Sequence, residues 1–195
     1  MRIIVSIVII VACFGFASAV QADVKSNGQL LVVHGEHFGD DNFGGYLHLA
    51  GMASTGGNLS MPIYIGGEYR AKGVNFKLLT GLSLSGNGGT SVIASTWFYD
   101  ELSSDISLFV QGDVYLPTKP AGNHVSLYTY ASLSKVRAGS DSGFGLIYEN
   151  FFFGRDWVKA AVGPTVILSN KNSLWVAYDF QPDGYNLLVR WVVKL

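Results

Sequence analysis

From Phe43 onward the chain repeats a single pattern, a stretch of about ten residues in which apolar and polar side chains alternate, followed by a few turn-forming residues. Alternation with period two commits a segment to β structure, because a strand sends successive side chains to opposite faces. The last stretch shows it best: Tyr185, Leu187, Val189, Trp191, Val193 and Leu195 are apolar, with Asn186, Leu188, Arg190, Val192 and Lys194 between them. Elsewhere Ile63, Ile65 and Tyr69 oppose Tyr64, Glu68 and Arg70, while Val74, Phe76, Leu78, Leu82 and Leu84 oppose Asn75, Lys77, Ser83 and Ser85. Ile106, Leu108, Val110, Val114 and Leu116 oppose Ser107, Gln111, Asp113 and Tyr115. Val158, Ala160, Val162, Val166 and Leu168 oppose Trp157, Lys159 and Thr165, and Leu174, Val176, Tyr178 and Phe180 oppose Ser173, Trp175 and Asp179. Segments near 43–54, 90–99, 124–136 and 143–153 read as strands with less regular faces. After residue 22 no stretch keeps a 3.6-residue period over three turns, so helices are not expected.

The connectors suit chain reversal. Thr55-Gly56-Gly57-Asn58, Ala71-Lys72-Gly73, Gly86-Asn87-Gly88-Gly89, Ser169-Asn170-Lys171-Asn172 and Gln181-Pro182-Asp183-Gly184 supply the Gly and Asn that accept positive φ in tight hairpins. Pro117 and Pro120 exclude the connector near 117–123 from a ladder interior. The expected fold is therefore all-β, an antiparallel up-and-down meander closed as a barrel of about ten strands, with eight or twelve as alternatives. Residues 28–36 read as one strand more, yet barrels with both termini on one side need an even number. That parity sets the segment outside the ladder or divides another strand in two.

Residues 1–22 read as a cleaved secretory signal, with Arg2, an apolar stretch from Ile3 to Phe16, and small residues before a cut after Ala22. The apolar stretch is short for a membrane helix. Cys13, preceded by Ile10-Val11-Ala12 as in a lipoprotein signal, lies too early for lipidation, with apolar sequence continuing after it. Residues 23–42 form an N-terminal segment with room for the extra strand, and residues 43–195 form the barrel. The chain's one cysteine leaves with the signal, so no disulfide framework stabilises the exported protein.

Lys and Arg number 13 against 14 Asp and Glu, which leaves no basic field for a nucleic acid partner. On the clean strands Glu68, Arg70, Lys77, Asp113, Lys159, Asp179, Arg190 and Lys194 all fall opposite the apolar face. A soluble barrel would turn those charges outward, and would carry about 25% charged residues. Here 14% are charged, and the polar face is filled mainly by Ser, Gly, Gln, Tyr and Trp. Lipid outside fits that composition, and a closed sheet is the β solution that satisfies every backbone group there. Aromatic residues near segment ends, Trp97-Phe98-Tyr99, Tyr115, Phe151 to Phe153, Trp157, Tyr178 and Phe180, suit the bilayer edges. The alternative is a soluble periplasmic barrel that binds a small apolar ligand inside.

In these features the chain resembles small bacterial outer-membrane β-barrel proteins. The closing strand of Tyr185, Leu187, Val189, Trp191, Val193 and Leu195 is similar to their C-terminal insertion signal, with Leu195 where the usual last residue is aromatic. The resemblance implies a location in the bacterial outer membrane, a porin-like role as a structural barrel or narrow pore for small polar solutes, and two partners: outer-membrane lipid, and the barrel-assembly machinery through the last strand.

With the polar face inward, Glu68, Arg70, Lys77, Asp113, Glu149, Lys159, Asp179 and Arg190 form a lumen charge network. Tyr64, Tyr115, Trp157 and Trp175 narrow the bore further. No cofactor motif and no catalytic motif occurs: Gly-x-Ser-x-Gly, His-Glu-x-x-His and a phosphate-binding glycine loop are all missing. His34, Glu36, His37 and His48 are weak metal candidates, since His34 and Glu36 share a strand face that His37 does not, and convergence needs a turn at Gly35. A lipid hydrolase or acyltransferase would draw on His48 or His124.

Overall fold

A computed structural model describes residues 26–86, 88–118, 124–137 and 139–195. The expected signal at 1–22, with Cys13, lies outside the described residues. Eleven strands follow in chain order: β1 (Ser26–Gly39), β2 (Phe43–Ser54), β3 (Leu59–Ala71), β4 (Val74–Ser85), β5 (Thr90–Glu101), β6 (Ile106–Pro117), β7 (Ser126–Val136), β8 (Gly143–Phe153), β9 (Asp156–Ser169), β10 (Asn172–Gln181) and β11 (Gly184–Lys194). Each pairs with its sequence neighbour, and β1 pairs with β11 to close the barrel.

The strand beyond the expected ten is the segment containing 28–36, which enters the ladder as β1. An odd meander cannot close with antiparallel neighbours alone. β1 and β11 run the same way and pair in parallel, from Ser26 against Leu187 to Val33 against Lys194. The parity expectation is corrected accordingly, because the barrel begins at one rim and ends at the other. The first rim carries Leu195 and the connections after β1, β3, β5, β7 and β9. The second carries Ser26 and the connections after β2, β4, β6, β8 and β10. The Leu195 N–H donates to the Val33 carbonyl at 2.9 Å and finishes the seam.

Local chemistry explains the tight reversals. Between β3 and β4, Lys72 (φ 28°) and Gly73 (φ 83°) both hold positive φ, as the favoured two-residue hairpin requires. Inside the barrel a second glycine has a packing role: a Cβ at Gly35 would overlap the Tyr46 hydroxyl, so the missing side chain is what lets that ring lie across β1.

The two faces separate as the alternation requires. Outward side chains include Leu78, Leu146 and Trp191, which are 62%, 59% and 53% exposed, whereas Glu68, Asp113, Glu149, Asp179 and Arg190 are turned inward and at most 4% exposed. Outer aromatics gather toward the rims, with Phe38, Phe43, Tyr69, Phe76 and Phe144 nearer the first and Phe153, Trp157, Tyr178, Phe180 and Tyr185 nearer the second. Phe43 and Tyr69 pack with ring centroids 4.7 Å apart.

Trp157 differs from expectation. A bulge in β9 places Phe151 opposite Lys159 but Phe152 opposite Trp157, so the extra residue reverses the alternation. Trp157 stands on the outer face, its Nε1–H donating to Asn150 Oδ1 at 3.0 Å.

Strand tilt carries one inward row of paired residues diagonally through the bore. Starting at Glu68 near the first rim, it passes Lys77, Trp97, Gln111, Tyr130, Glu149 and Ala161, and reaches Asp179 and Asn186 near the second. This row positions the site.

Candidate functional site

Several separate polar groups and one layer of rings occupy the bore. Nearest the first rim, Glu68 is buried on β3 and collects donors from three strands. Its Oε2 accepts from Arg70 NH2 at 2.8 Å and lies 2.5 Å from His37 Nδ1. Its Oε1 accepts from Asn75 Nδ2 at 2.5 Å and lies 3.2 Å from Lys77 Nζ. His37 Nε2 sits 2.9 Å from the Asp40 carbonyl oxygen, which ties the group to the first connection. The register explains the gathering, since Glu68 faces Lys77 directly and Gly44 on its other side leaves room for the His37 ring.

Asp113 is wholly buried on β6 and has neutral donors in place of a cation. Oδ2 accepts from Tyr64 OH at 2.9 Å, Gln111 Nε2 at 2.8 Å and Tyr115 OH at 3.2 Å. Oδ1 accepts from Ser95 Oγ, which in turn accepts from Trp97 Nε1 at 2.7 Å. A carboxylate holding this many donors is compensated by hydrogen bonds, as a buried charge must be.

The third group joins β8 to β11. Arg190 donates NH1 to Glu149 Oε2 at 2.8 Å and NH2 to Glu149 Oε1 at 2.9 Å, while its Nε donates to Gln29 Oε1 at 2.6 Å. Tyr128 OH adds a bond to Glu149 Oε2 at 3.0 Å. Toward the second rim, Asp179 accepts from Gln181 Nε2 at 3.2 Å, and its other oxygen has no hydrogen-bond partner among the described residues. Lys159 faces the bore half-buried.

Between these groups runs a series of rings. Tyr46 and Trp97 lie 5.9 Å apart, Trp97 and Phe109 5.9 Å, Phe109 and Tyr130 5.8 Å, and Tyr130 stacks on Trp175 at 5.2 Å with 9° between planes. Tyr46 to Trp97 reaches from β2 to β5, and Tyr130 to Trp175 from β7 to β10, so the layer crosses the bore and does not merely follow its wall. A cation covers each end of the series: Lys77 Nζ lies 3.3 Å from the Tyr46 centroid and the Arg190 guanidinium carbon 4.8 Å from that of Trp175.

The expected lumen residues are thus distributed among separate groups. Glu68, Arg70 and Lys77 meet in one, Glu149 and Arg190 in another, and Asp113 and Asp179 stand in their own surroundings. Tyr64, Tyr115 and Trp175 face inward as read from the sequence. His37, Asn75, Ser95, Tyr128 and Gln29 were missed as partners, because cross-strand register brings them in and local spacing does not reveal it.

The metal candidates are divided by the straight course of β1 through Gly35. His34 and Glu36 stand on the outer face, 3.7 Å apart, and His37 and His48 inside. Among the described residues no three His, Cys, Asp or Glu side chains converge on a metal position. His48 packs between Tyr64 and Trp97, while His124 lies at the second rim with its ring edge-on to Phe153 at 5.4 Å.

At the first rim Asp105 accepts from Ser103 Oγ at 2.8 Å, which together with Lys135 Nζ at 3.4 Å holds its carboxyl below the usual range. The apolar face of β11 expected to guide insertion, Tyr185, Leu187, Val189, Trp191 and Val193, is the outer face, and Leu195 follows at the first rim.

No protein-family model matches the chain, and no curated protein matches it. A solved structure described as a KdgM porin superposes with a TM-score of 0.48 and 11% sequence identity, over 80% of this chain and 85% of that one.

Proposed function

We propose that this chain is an integral β-barrel of the bacterial outer membrane, of narrow-pore type, whose bore is filled by its own side chains. The supporting observation is the division of its faces: leucines, valines and aromatics outward, and the carboxylates and their partners inward. A monomer in water rarely exposes contiguous apolar surface beyond a few hundred Å². Here apolar side chains face outward on strand after strand, which favours lipid over water around the barrel and works against a soluble ligand-binding barrel.

Barrel size agrees with a narrow bore. About eight strands leave an interior that side chains fill, and about sixteen leave an aqueous channel. Eleven strands with inward Trp97, Trp175, Tyr64 and Tyr130 lie near the filled end of that range. Such a barrel serves as a structural element of the membrane or passes only small polar solutes. Fractionation tests the reading: the full-length chain should stay in membranes through carbonate and urea washes and migrate differently on SDS gels before and after boiling. Release into the wash would mean a soluble barrel.

A further inference from the structure

We propose that Phe109 is the residue that closes the bore. Two apolar clusters lie inside the barrel. One is built on Tyr46, Tyr64, Leu79, Ile93 and Trp97, from β2 to β5; the other on Tyr130, Ile147, Ala161, Trp175, Ala177, Leu188 and Val192, from β7 to β11. Phe109, on β6 between them, packs against both. Its ring meets Trp97 at 77° and Tyr130 at 52°, joining the two halves of the aromatic layer.

The chemistry of the position sets it apart from its neighbours. Tyr46, Trp97, Tyr130 and Trp175 each carry a polar atom, whereas the Phe109 side chain has none and is held by apolar packing. Polar groups stand on the two halves it joins: the Glu68 and Asp113 groups on β3 to β6, and the Glu149 and Arg190 pair on β8 and β11. An apolar side chain that bridges two facing halves of a ring layer excludes water and ions without a charge barrier, and the layer opens when that side chain shrinks or turns away. Phe109 therefore determines permeation, with the polar groups of the two halves lining the opening that its truncation leaves.

This inference rests on the membrane-barrel reading, and the experiment keeps the two apart. Full-length chain, refolded into phospholipid bilayers, is compared with F109A, F109L and the outer-face variant F76A. Boiling-dependent gel migration reports folding in every case, and unitary conductance reports the bore. The proposal expects little or no conductance from the parent chain, F109L and F76A, and a several-fold rise for F109A. F109V supplies the same comparison if F109A does not fold. Folded truncation variants with unchanged conductance would overturn the proposal, as would a wide open channel in the parent chain. Loss of heat-modifiable migration from the parent chain itself would instead overturn the membrane-barrel reading.

Discussion

Arg190 of β11 holds Glu149 of β8 through two parallel hydrogen bonds of 2.8 and 2.9 Å, across two intervening strands and inside the bore. The pair ties the seam strand to the far wall, and the Gln29 bond to the same guanidinium ties it to β1 on the other side of the seam. Removing one partner leaves a buried charge alone, whereas replacing both with apolar groups does not. We expect R190A to lose about 3–5 kcal/mol of stability, measured by urea unfolding in phospholipid vesicles. The double variant E149L/R190M should lose markedly less than the two single changes added together.

Glu68 has four donors and Lys77 only one carboxylate, so the two should differ in consequence. E68Q leaves His37, Arg70 and Lys77 without their common anion and should cost about 3 kcal/mol. K77M keeps an aliphatic stem over the Tyr46 ring, leaves Glu68 with three donors, and should cost about 1 kcal/mol. Unfolding midpoints of the two variants side by side check the order; an equal or reversed order would contradict the role given to Glu68.

Gly35 is predicted to be intolerant of even one methyl group. G35A places a carbon on the Tyr46 hydroxyl and should cost about 1–3 kcal/mol, as overpacking does. Removing the hydroxyl with Tyr46→Phe should restore part of the loss, read as a rise in unfolding midpoint of the double variant over G35A.

The outer face gives a prediction that depends on depth. Leu78 points outward in the body of β4, and Phe76 points outward nearer the first rim. L78R should cost about 2–4 kcal/mol in a bilayer, and F76R about 1 kcal/mol or less. Unfolding in vesicles measures both; in a water-exposed barrel neither position would penalise the cation.

Much of this arrangement was legible in the alternation itself. Four of the five clean segments, β11, and β9 beyond its first residues were assigned correct faces, because period two survives wherever a strand is regular. The β9 bulge reversed Trp157, since a single extra residue turns the side chains beyond it to the other face and leaves no mark in composition. Phe109 shares the inward parity of Ser107 and Gln111, yet its place between the two halves of the ring layer depends on Trp97 and Tyr130 of neighbouring strands, which the sequence of β6 does not reveal. The donors of Glu68 and Asp113 come from residues 2 to 49 positions away in sequence, joined by a register that only folding defines. The parallel seam was set aside by a rule of even strand number drawn from other barrels, although the pattern of residues 28–36 already read as a strand.

Lipid outside and a closed aromatic layer within place the chain's four tryptophans in different surroundings. Trp191 is outward, while Trp97 and Trp175 are inside. Single-tryptophan forms retaining either Trp191 or Trp97, with phenylalanine at the other three positions, can be refolded into vesicles of lipid brominated on its acyl chains. Trp191 fluorescence should be strongly quenched and that of Trp97 little. Unquenched Trp191 in a folded, vesicle-bound chain, or quenching of Trp97 to the same extent, would contradict this placement.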